Sequence, residues 1–139
     1  MTSNLAAISA AQNWIGTPYV LGAALRGAGC DCVGLIRGVW SDLTGNPPPP
    51  APPWRSDWAN SSARPLILAA REYLHPIPIE SVAPGDVVVL RVQGNREAHC
   101  GILVRGGKFI HAFEDVGVVC VPFDAYRSRL AFAASFPAP

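Results

Sequence analysis

The sequence has few charges, no basic stripe and no long apolar run, and each of these absences excludes a class of protein. Only 15% of its 139 residues are charged and the net charge is +1, which argues against nucleic acid as a partner. No uninterrupted apolar run approaches the ~18 residues of a transmembrane helix, so we expect no membrane span. The first basic residue is Arg26, so the N-terminus lacks the basic region of a secretory signal peptide. We therefore expect synthesis in the cytoplasm, where thiols stay reduced.

What the sequence does contain is a globular pattern of helices followed by strands. Half of the residues are hydrophobic, and the length suits a single domain, residues 1–139, with one substantial core. Helices are predicted at residues 2–16, from near Asp31 to the TGNP sequence at 44–47, and at 64–76. Strands are predicted at 86–92, 99–105, 108–113, 117–123 and 130–136. Residues 17–29, between the first two helices, are predicted to form a loop. Helices first and antiparallel strands later indicate an α+β fold.

A proline-rich segment at residues 46–53 separates the second predicted helix from the third. Six of its eight residues are proline, which predicts a stiff, extended stretch on the surface. We interpret the segment as a spacer within the domain. The alternative is a ligand for a proline-binding groove.

The four cysteines are Cys30, Cys32, Cys100 and Cys120, and neither a metal site nor a disulfide explains them well. Structural zinc sites use paired ligand spacings that this chain lacks, and His99 and Cys100, as neighbours on a strand, point to opposite faces. The C-x-C spacing closes too tight a ring for an ordinary disulfide, and a cytoplasmic origin disfavours one. We interpret Cys100 and Cys120 as small buried hydrophobes and Cys30 as a packing residue. No metal and no cofactor are predicted.

Cys32 is a candidate nucleophile because it lies on the first turn of the helix that begins near Asp31. The partial positive charge and free N–H groups of a helix N-terminus stabilise a thiolate and can also receive an oxyanion. A thiol nucleophile needs a histidine base, and the base needs a third group to orient it. Of the three histidines, His75 is interpreted as a surface or capping residue. His99 and His111 lie in the strand region and flank the sequence RGG.

The number of residues in the RGG loop decides whether His99 and His111 can meet. A two-residue turn at 106–107 would place the two histidines on opposite faces of the hairpin. A three-residue loop at 105–107 would pair residue 101 with residue 111 and bring the histidines to the same face on a diagonal. The catalytic interpretation therefore requires an odd-length loop or a bulge. Otherwise each is an ordinary strand histidine.

Three blocks, residues 16–40, 84–92 and 99–121, resemble the NlpC-type papain-like cell-wall peptidases. They contain PYVLGA, DCVGL, PGD, HCGIL and IHA in the order in which that family carries its motifs. The resemblance covers roughly residues 10–123 and implies a papain-like fold. In that fold N-terminal helices, with the nucleophile at a helix N-terminus, pack on a C-terminal antiparallel sheet.

The resemblance also implies a role for individual residues. Cys32 matches the nucleophile, His99 the general base and His111 the third residue, which orients the base. Tyr19 matches the tyrosine that lines the site near the oxyanion, and Asp31 matches the residue that caps the nucleophile's helix.

The sequence departs from the family pattern at three places near these motifs. Val33 replaces a serine, Ala23 replaces the second glycine of the PYxxGG block, and Cys100 replaces a valine. The first two alter the substrate groove, and the third is interpreted as a packing change. None removes a member of the proposed triad.

The function that the resemblance implies is hydrolysis of amide bonds in peptidoglycan stem peptides, next to D-glutamate or meso-diaminopimelate. The length and compact layout look most like the peptidases of tailed phages and gene transfer agents, which form part of the tail tip or hub. The particle would then carry the enzyme from the bacterial cytoplasm to the recipient's cell wall, which it opens for DNA delivery. Two alternatives stay open: a structural tail-tip subunit with weak or gated activity, and an amidase or acyltransferase acting on another amide.

Overall fold

The computed structural model describes residues 4–51, 65–91 and 97–137. Its helices and strands are α1 (Leu5–Gln12), β1 (Ala24–Leu25), β2 (Gly29–Cys30), α2 (Cys32–Thr44), α3 (Pro65–Tyr73), β3 (His75–Ile77), β4 (Val87–Arg91), β5 (Glu97–Val104), β6 (Lys108–Phe113), β7 (Gly117–Pro122) and β8 (Leu130–Ser135). Short 3₁₀ helices span Ile79–Ser81 and Asp124–Arg129. The three predicted helices and five predicted strands are all present, with ends that differ by a few residues.

Strands β3 to β8 form one six-stranded antiparallel sheet in the order β3-β8-β4-β5-β6-β7. The central pair β4 and β5 is flanked by β8 on one side and β6 on the other. Helices precede the sheet along the chain, so the predicted α+β class is confirmed. Among the described residues, no helix has the length and apolar character to cross a membrane.

The two faces of the sheet bury different side chains, because successive residues of a strand point to opposite faces. One face packs against the helices, and its largest fully buried side chains include Leu35 of α2 together with Ile102 and Ile110 of the sheet. The other face holds a smaller cluster, in which Phe109 packs against Phe123 near the second 3₁₀ helix. The helix-covered face is the one on which the N-terminus of α2 meets the sheet.

The segment predicted as a loop at residues 17–29 contains a short hairpin, so that prediction was incomplete. Ala24 of β1 pairs with Cys30 of β2, and Tyr19 forms a parallel bridge with Cys30. Strands of two residues show no alternation that a sequence pattern could reveal. The hairpin holds the loop that precedes β1, residues 17–23, directly beside the start of α2; this segment is called the Tyr19 loop below.

The described part of the proline-rich segment, residues 46–51, follows α2 and is exposed except at Pro49. The Pro49 carbonyl accepts a hydrogen bond of 2.7 Å from Nε of Arg37 on α2. This contact fixes the start of the segment against the helix. Residues 52 and 53 of the predicted segment lie outside the described residues.

Candidate active site

Cys32 is the first residue of α2, as the sequence predicts, and Asp31 is the N-cap of that helix. The Asp31 carboxylate is buried and accepts two backbone hydrogen bonds of 2.7 Å, one from Gly34 in the first turn and one from Gly22 in the preceding loop. One carboxylate therefore ties the Tyr19 loop to the helix that carries the thiol. The helix N-terminus provides free N–H groups beside Cys32.

The hairpin between β5 and β6 has the three-residue loop that the catalytic interpretation requires. Ile102 pairs with Ile110 and Val104 with Lys108, which leaves Arg105, Gly106 and Gly107 in the loop. Gly106 and Gly107 have φ angles of 81° and 69°, which glycine adopts without strain. The predicted register is therefore confirmed.

His99 and His111 meet across this hairpin. Nε2 of His99 lies 2.8 Å from Nδ1 of His111, and the two rings are nearly perpendicular. The Nε2 atom of His99 is thus occupied by His111, which leaves its Nδ1 atom for a contact with another group. The structure brings the two histidines together as predicted from the odd-length loop.

The start of β5 contains a β-bulge in its pairing with β4. The pairing with β4 shifts by one residue, from Leu90 opposite His99 to Arg91 opposite Glu97. A bulge of this kind bends a strand and re-aims the side chains next to it. Successive residues of the bent strand, His99 and Cys100, both come within hydrogen-bonding contact of Cys32. This bulge gave no signal in the sequence.

Hydrogen bonds from the Cys100 thiol and then from the His99 ring lower the pKa of Cys32 far below the ordinary value of a thiol. Burial and the Asp31 carboxylate act in the opposite direction but are outweighed. The pKa of Cys100 is raised, because its thiol donates to Cys32 and is buried. Cys32 is the thiol that ionises, since it alone of the two gains from the positive charge of His99. Cys100, which the sequence suggested to be a packing residue, is a direct neighbour of the candidate nucleophile.

His111 is buried in aromatic surroundings, with only 2% of its surface exposed. Its ring stacks on Phe109 at 4.4 Å between centroids and lies edge-on to Tyr126 at 5.8 Å. Burial, followed by the charge of His99, lowers the pKa of His111 to about 4. A neutral His111 whose Nδ1 accepts from His99 must carry its proton on Nε2.

Tyr19 lies close enough to the site to feel the charge of the Cys32 thiolate. Burial, and next the negative charge of Cys32, raise the pKa of Tyr19 to about 12. The phenol therefore keeps its proton and remains a hydrogen-bond donor at neutral pH. The parallel bridge from Tyr19 to Cys30 fixes the backbone at this position.

The other cysteines and His75 lie outside this cluster. Cys30 is fully buried and burial raises its pKa to about 12, in agreement with a packing role. Cys120 is exposed, so the prediction that it is buried was wrong. It lies on β7, one of the two edge strands of the sheet, where a side chain has fewer neighbours. His75 is exposed at the start of β3, as predicted. Within the described part of the chain, no group of three His, Cys, Asp or Glu side chains is arranged to hold a metal ion.

A cysteine at the first position of a helix, next to an antiparallel sheet that carries two linked histidines, defines the papain-like class of α+β proteins. Comparison with known sequences narrows this class. Residues 16–131 match the profile of the NlpC/P60 family, and the chain belongs to that family.

Two curated relatives match most of this chain. The gamma-DL-glutamyl hydrolase of Bacillus subtilis strain 168 is 27% identical over 132 residues, which are 93% of this chain and 28% of the relative. A probable endopeptidase of Haemophilus influenzae is 28% identical over 109 residues, which are 78% of this chain and 58% of the relative. The chain thus spans less than two thirds of the length of either protein.

Solved structures of the same family share the fold. The NlpC/p60 domain of the peptidoglycan hydrolase SagA has a TM-score of 0.67 at 24% identity, covering 97% of this chain and 100% of that one. NlpC2 from Trichomonas vaginalis has a TM-score of 0.68 at 18% identity, covering 94% of this chain and 44% of that one. These similarities establish the papain-like fold, as the sequence predicts.

Proposed function

We propose that this protein is a cysteine peptidase that hydrolyses amide bonds in the peptide stems of peptidoglycan. The observation that carries the proposal is the continuous contact from Cys32 through His99 to His111. A thiol ionised by an imidazole, with a third group that orients the imidazole, is the arrangement that thiol hydrolases need. The names of the two relatives, a glutamyl hydrolase and an endopeptidase, support an amide substrate. The SagA domain supports peptidoglycan as its source.

In the acylation step the Cys32 thiolate attacks the carbonyl carbon of the scissile amide. The backbone N–H of Cys32 at the helix N-terminus, together with the Tyr19 hydroxyl, donates to the oxyanion that forms. Nδ1 of His99 then gives its proton to the departing amine, and a thioester on Cys32 remains. His111 accepts from Nε2 of His99 throughout and so holds the ring in one orientation.

In the second step a water molecule takes the place of the amine. His99 removes a proton from the water, which attacks the thioester, and Cys32 leaves as a thiolate. The products are a free carboxylic acid and the regenerated thiolate–imidazolium pair. The groups that act in the two steps are the Cys32 thiol, the His99 imidazole, the backbone N–H at the start of α2 and the Tyr19 hydroxyl.

The direct test is digestion of purified peptidoglycan by the wild-type protein, with released fragments identified by mass spectrometry. Cys32→Ala is expected to release none, while Cys120→Ser, which changes an exposed cysteine on the edge strand β7, is expected to match the wild type. Equal fragment release by wild type and Cys32→Ala would contradict the proposal.

The bond that we propose is the one next to D-glutamate in the stem. The support is the name of the Bacillus subtilis relative, a gamma-DL-glutamyl hydrolase. The fragment masses identify the bond, since cleavage on either side of D-glutamate gives products of different composition. A fragment that carries an added amine in place of water would instead indicate an acyltransferase, and cleavage only of unrelated amides would indicate an amidase of another kind.

We propose further that the protein works as a tail-tip or hub component of a phage-like particle, made in the cytoplasm and acting in the recipient's cell wall. The support is the resemblance in length and layout to the tail-associated peptidases. The test is sedimentation of particles from a producing strain, followed by quantitative mass spectrometry of the particle fraction. Recovery of the protein only in the free fraction would contradict it. Particles that carry the protein but show no Cys32-dependent digestion would favour the structural subunit.

A further inference from the structure

Cys32 and Cys100 form a pair of thiols in direct contact within the candidate active site. The two side chains pack in the same cluster between α2 and the sheet, and the Cys100 thiol interacts with Cys32 as a hydrogen-bond donor. The two residues come from different elements, the start of α2 and the bent start of β5. Their contact therefore depends on the tertiary fold and not on nearness in the sequence.

The two thiols differ in their access to solvent. Cys32 is partly exposed, whereas Cys100 is buried with 4% of its surface accessible. A small oxidant in solution therefore reaches Cys32 first. Cys100 also lines an apolar cavity of about 60 Å³ between α2, α3 and the sheet, which leaves space for its side chain to turn.

Neither of the other cysteines has this relation to Cys32. Cys30 lies two residues away and feels the charge of Cys32, but no hydrogen bond joins the two thiols. Its backbone is fixed in β2, where the amide donates to Pro18 and the carbonyl accepts from Val20. Cys120 is exposed on the edge strand β7.

We propose that Cys32 and Cys100 form a reversible oxidation site, in which Cys32 reacts with a hydroperoxide and Cys100 resolves the product as an intramolecular disulfide. The assignment rests on the sulfur–sulfur contact, the unequal exposure of the two thiols and the free space beside Cys100. It also rests on the proposed function in one respect, because a disulfide at Cys32 removes the nucleophile and so switches hydrolysis off.

The chemistry takes place in two balanced steps. The Cys32 thiolate attacks the hydroperoxide and displaces hydroxide, or an alkoxide, giving a sulfenic acid on Cys32 while the peroxide O–O bond is reduced. The Cys100 thiol, deprotonated by the leaving hydroxyl, then attacks the sulfenic sulfur, and one water molecule leaves as the S–S bond forms. A dithiol reductant restores both thiols and is itself oxidised to a disulfide.

Formation of the disulfide requires the two sulfur atoms to approach to about 2 Å. The two side chains must turn toward each other to reach that distance, and the cavity beside Cys100 leaves room for this movement. Cys100 also protects Cys32, because a sulfenic acid that is not resolved is oxidised further to the irreversible sulfinic acid. Without Cys100, peroxide should inactivate the enzyme permanently.

The experiment treats the reduced full-length protein with a small excess of hydrogen peroxide, blocks the remaining thiols and maps peptides by mass spectrometry. We expect a peptide pair joined through Cys32 and Cys100 in the wild type and in Cys120→Ser, and its loss after dithiothreitol. Cys100→Val introduces the valine that the family pattern carries at this position. In this variant we expect sulfinic acid on Cys32 instead. Cys100→Ala serves as a second variant if valine disturbs folding.

The mapping reports on the thiols whether or not the protein hydrolyses peptidoglycan, so it separates this inference from the proposed function. Where peptidoglycan digestion is measured in parallel, each protein is compared with its own untreated sample, and the fraction of activity that peroxide-treated wild type regains on reduction should be at least tenfold larger than the fraction that peroxide-treated Cys100→Val regains. The inference is overturned if Cys32 in the wild type becomes sulfinic acid as fast as in Cys100→Val. It is also overturned if Cys32 is found joined to Cys30.

Discussion

His111 shows how strongly the surroundings of one residue determine its chemistry. Aromatic rings from Phe109 and Tyr126 enclose it, and its hydrogen-bond partner within the described part of the chain is His99. A charged ring in such a place would lose hydration without gaining a carboxylate. The neutral ring instead acts as the acceptor in its contact with His99.

The burial of His111 predicts a specific loss of stability in acid. Its pKa is about 4 in the folded protein against 6.5 ordinarily, so the unfolded chain binds more protons between these values. The stabilisation that the neutral His111 gives the folded protein is complete above pH 6.5 and is lost as the pH falls toward 4. We expect the free energy of unfolding of the wild type, relative to His111→Gln, to fall by about 2 kcal/mol over this range. Urea unfolding at pH 4 to 8 measures it.

The matched control for that measurement is His75→Gln, which removes an exposed histidine on β3. Its stability should follow the wild-type pH dependence closely. A wild-type curve parallel to that of His111→Gln between pH 4 and 6.5 would show that His111 titrates normally and would contradict the neutral role.

At the scale of elements, Asp31 joins the start of α2 to the Tyr19 loop. Its substitution should lower the free energy of unfolding and should also lower the pKa of Cys32. Asp31→Asn keeps one carbonyl acceptor and loses the other, so we expect a loss of about 1–2 kcal/mol in the free energy of unfolding. The same change removes a negative charge that raises the pKa of Cys32, so the thiolate should form at lower pH. Thermal unfolding and the pH dependence of thiol alkylation measure the two effects.

Asp124→Asn is the control for Asp31→Asn, because its side chain is 90% exposed and lies in the second 3₁₀ helix. We expect it to change neither quantity beyond error. An alkylation profile of Asp31→Asn that moves to higher pH would contradict the electrostatic argument.

The β5–β6 hairpin places the two histidines, and the length of its loop can be changed without changing the pairing of its strands. Deletion of Gly106 leaves Arg105 and Gly107 as a two-residue turn between the same pair, Val104 and Lys108, so the register that brings His99 to His111 is kept. We expect this variant to keep peptidoglycan hydrolysis within tenfold of the wild type, whereas His99→Ala, which removes the base, should lose at least 100-fold. Gly106→Ala keeps the loop length and strains only one positive φ angle, so it should lose about 1 kcal/mol of stability but keep its activity.

The deletion variant requires a check on folding, by circular dichroism and by resistance to proteolysis. A folded deletion variant as inactive as His99→Ala would show that the three-residue loop itself, and not only the pairing of β5 with β6, is needed to position the histidines.

The sequence was informative about these elements wherever a pattern was long enough to show a period. The strands and the start of α2 near Asp31 could be predicted from spacing, whereas the RGG sequence left both a two-residue turn and a three-residue loop open, and only the catalytic interpretation required the three-residue loop. The hairpin β1–β2 and the bulge opposite Leu90 could not, because each involves two or three residues without a period. The contact between Cys32 and Cys100 depends on that bulge, so it too had no sequence signal.

At the scale of the whole molecule, α2 is the element that joins the two layers. It contacts α1 on one side and β5 and β6 on the other, and it carries the candidate nucleophile at its N-terminus. Two buried glycines allow these close contacts. A Cβ atom at Gly34 would collide with the backbone oxygen of Ala23, and one at Gly38 would collide with the ring of Trp14 on the α1 side.

These two glycines predict different consequences for the same substitution. Gly34→Ala pushes on the backbone of the loop that Asp31 fixes, so it should displace the Tyr19 loop and lower kcat/KM by tenfold or more. Gly38→Ala pushes on the Trp14 ring one helical turn further from Cys32, so kcat/KM at a temperature below unfolding should stay within twofold of the wild type. Both should lower the free energy of unfolding by about 1–3 kcal/mol, because overpacking outweighs the gain in helix propensity. Equal losses of kcat/KM in the two variants, measured at matched distance below each Tm, would show that the whole of α2 moves as a unit and that the Tyr19 loop has no separate role.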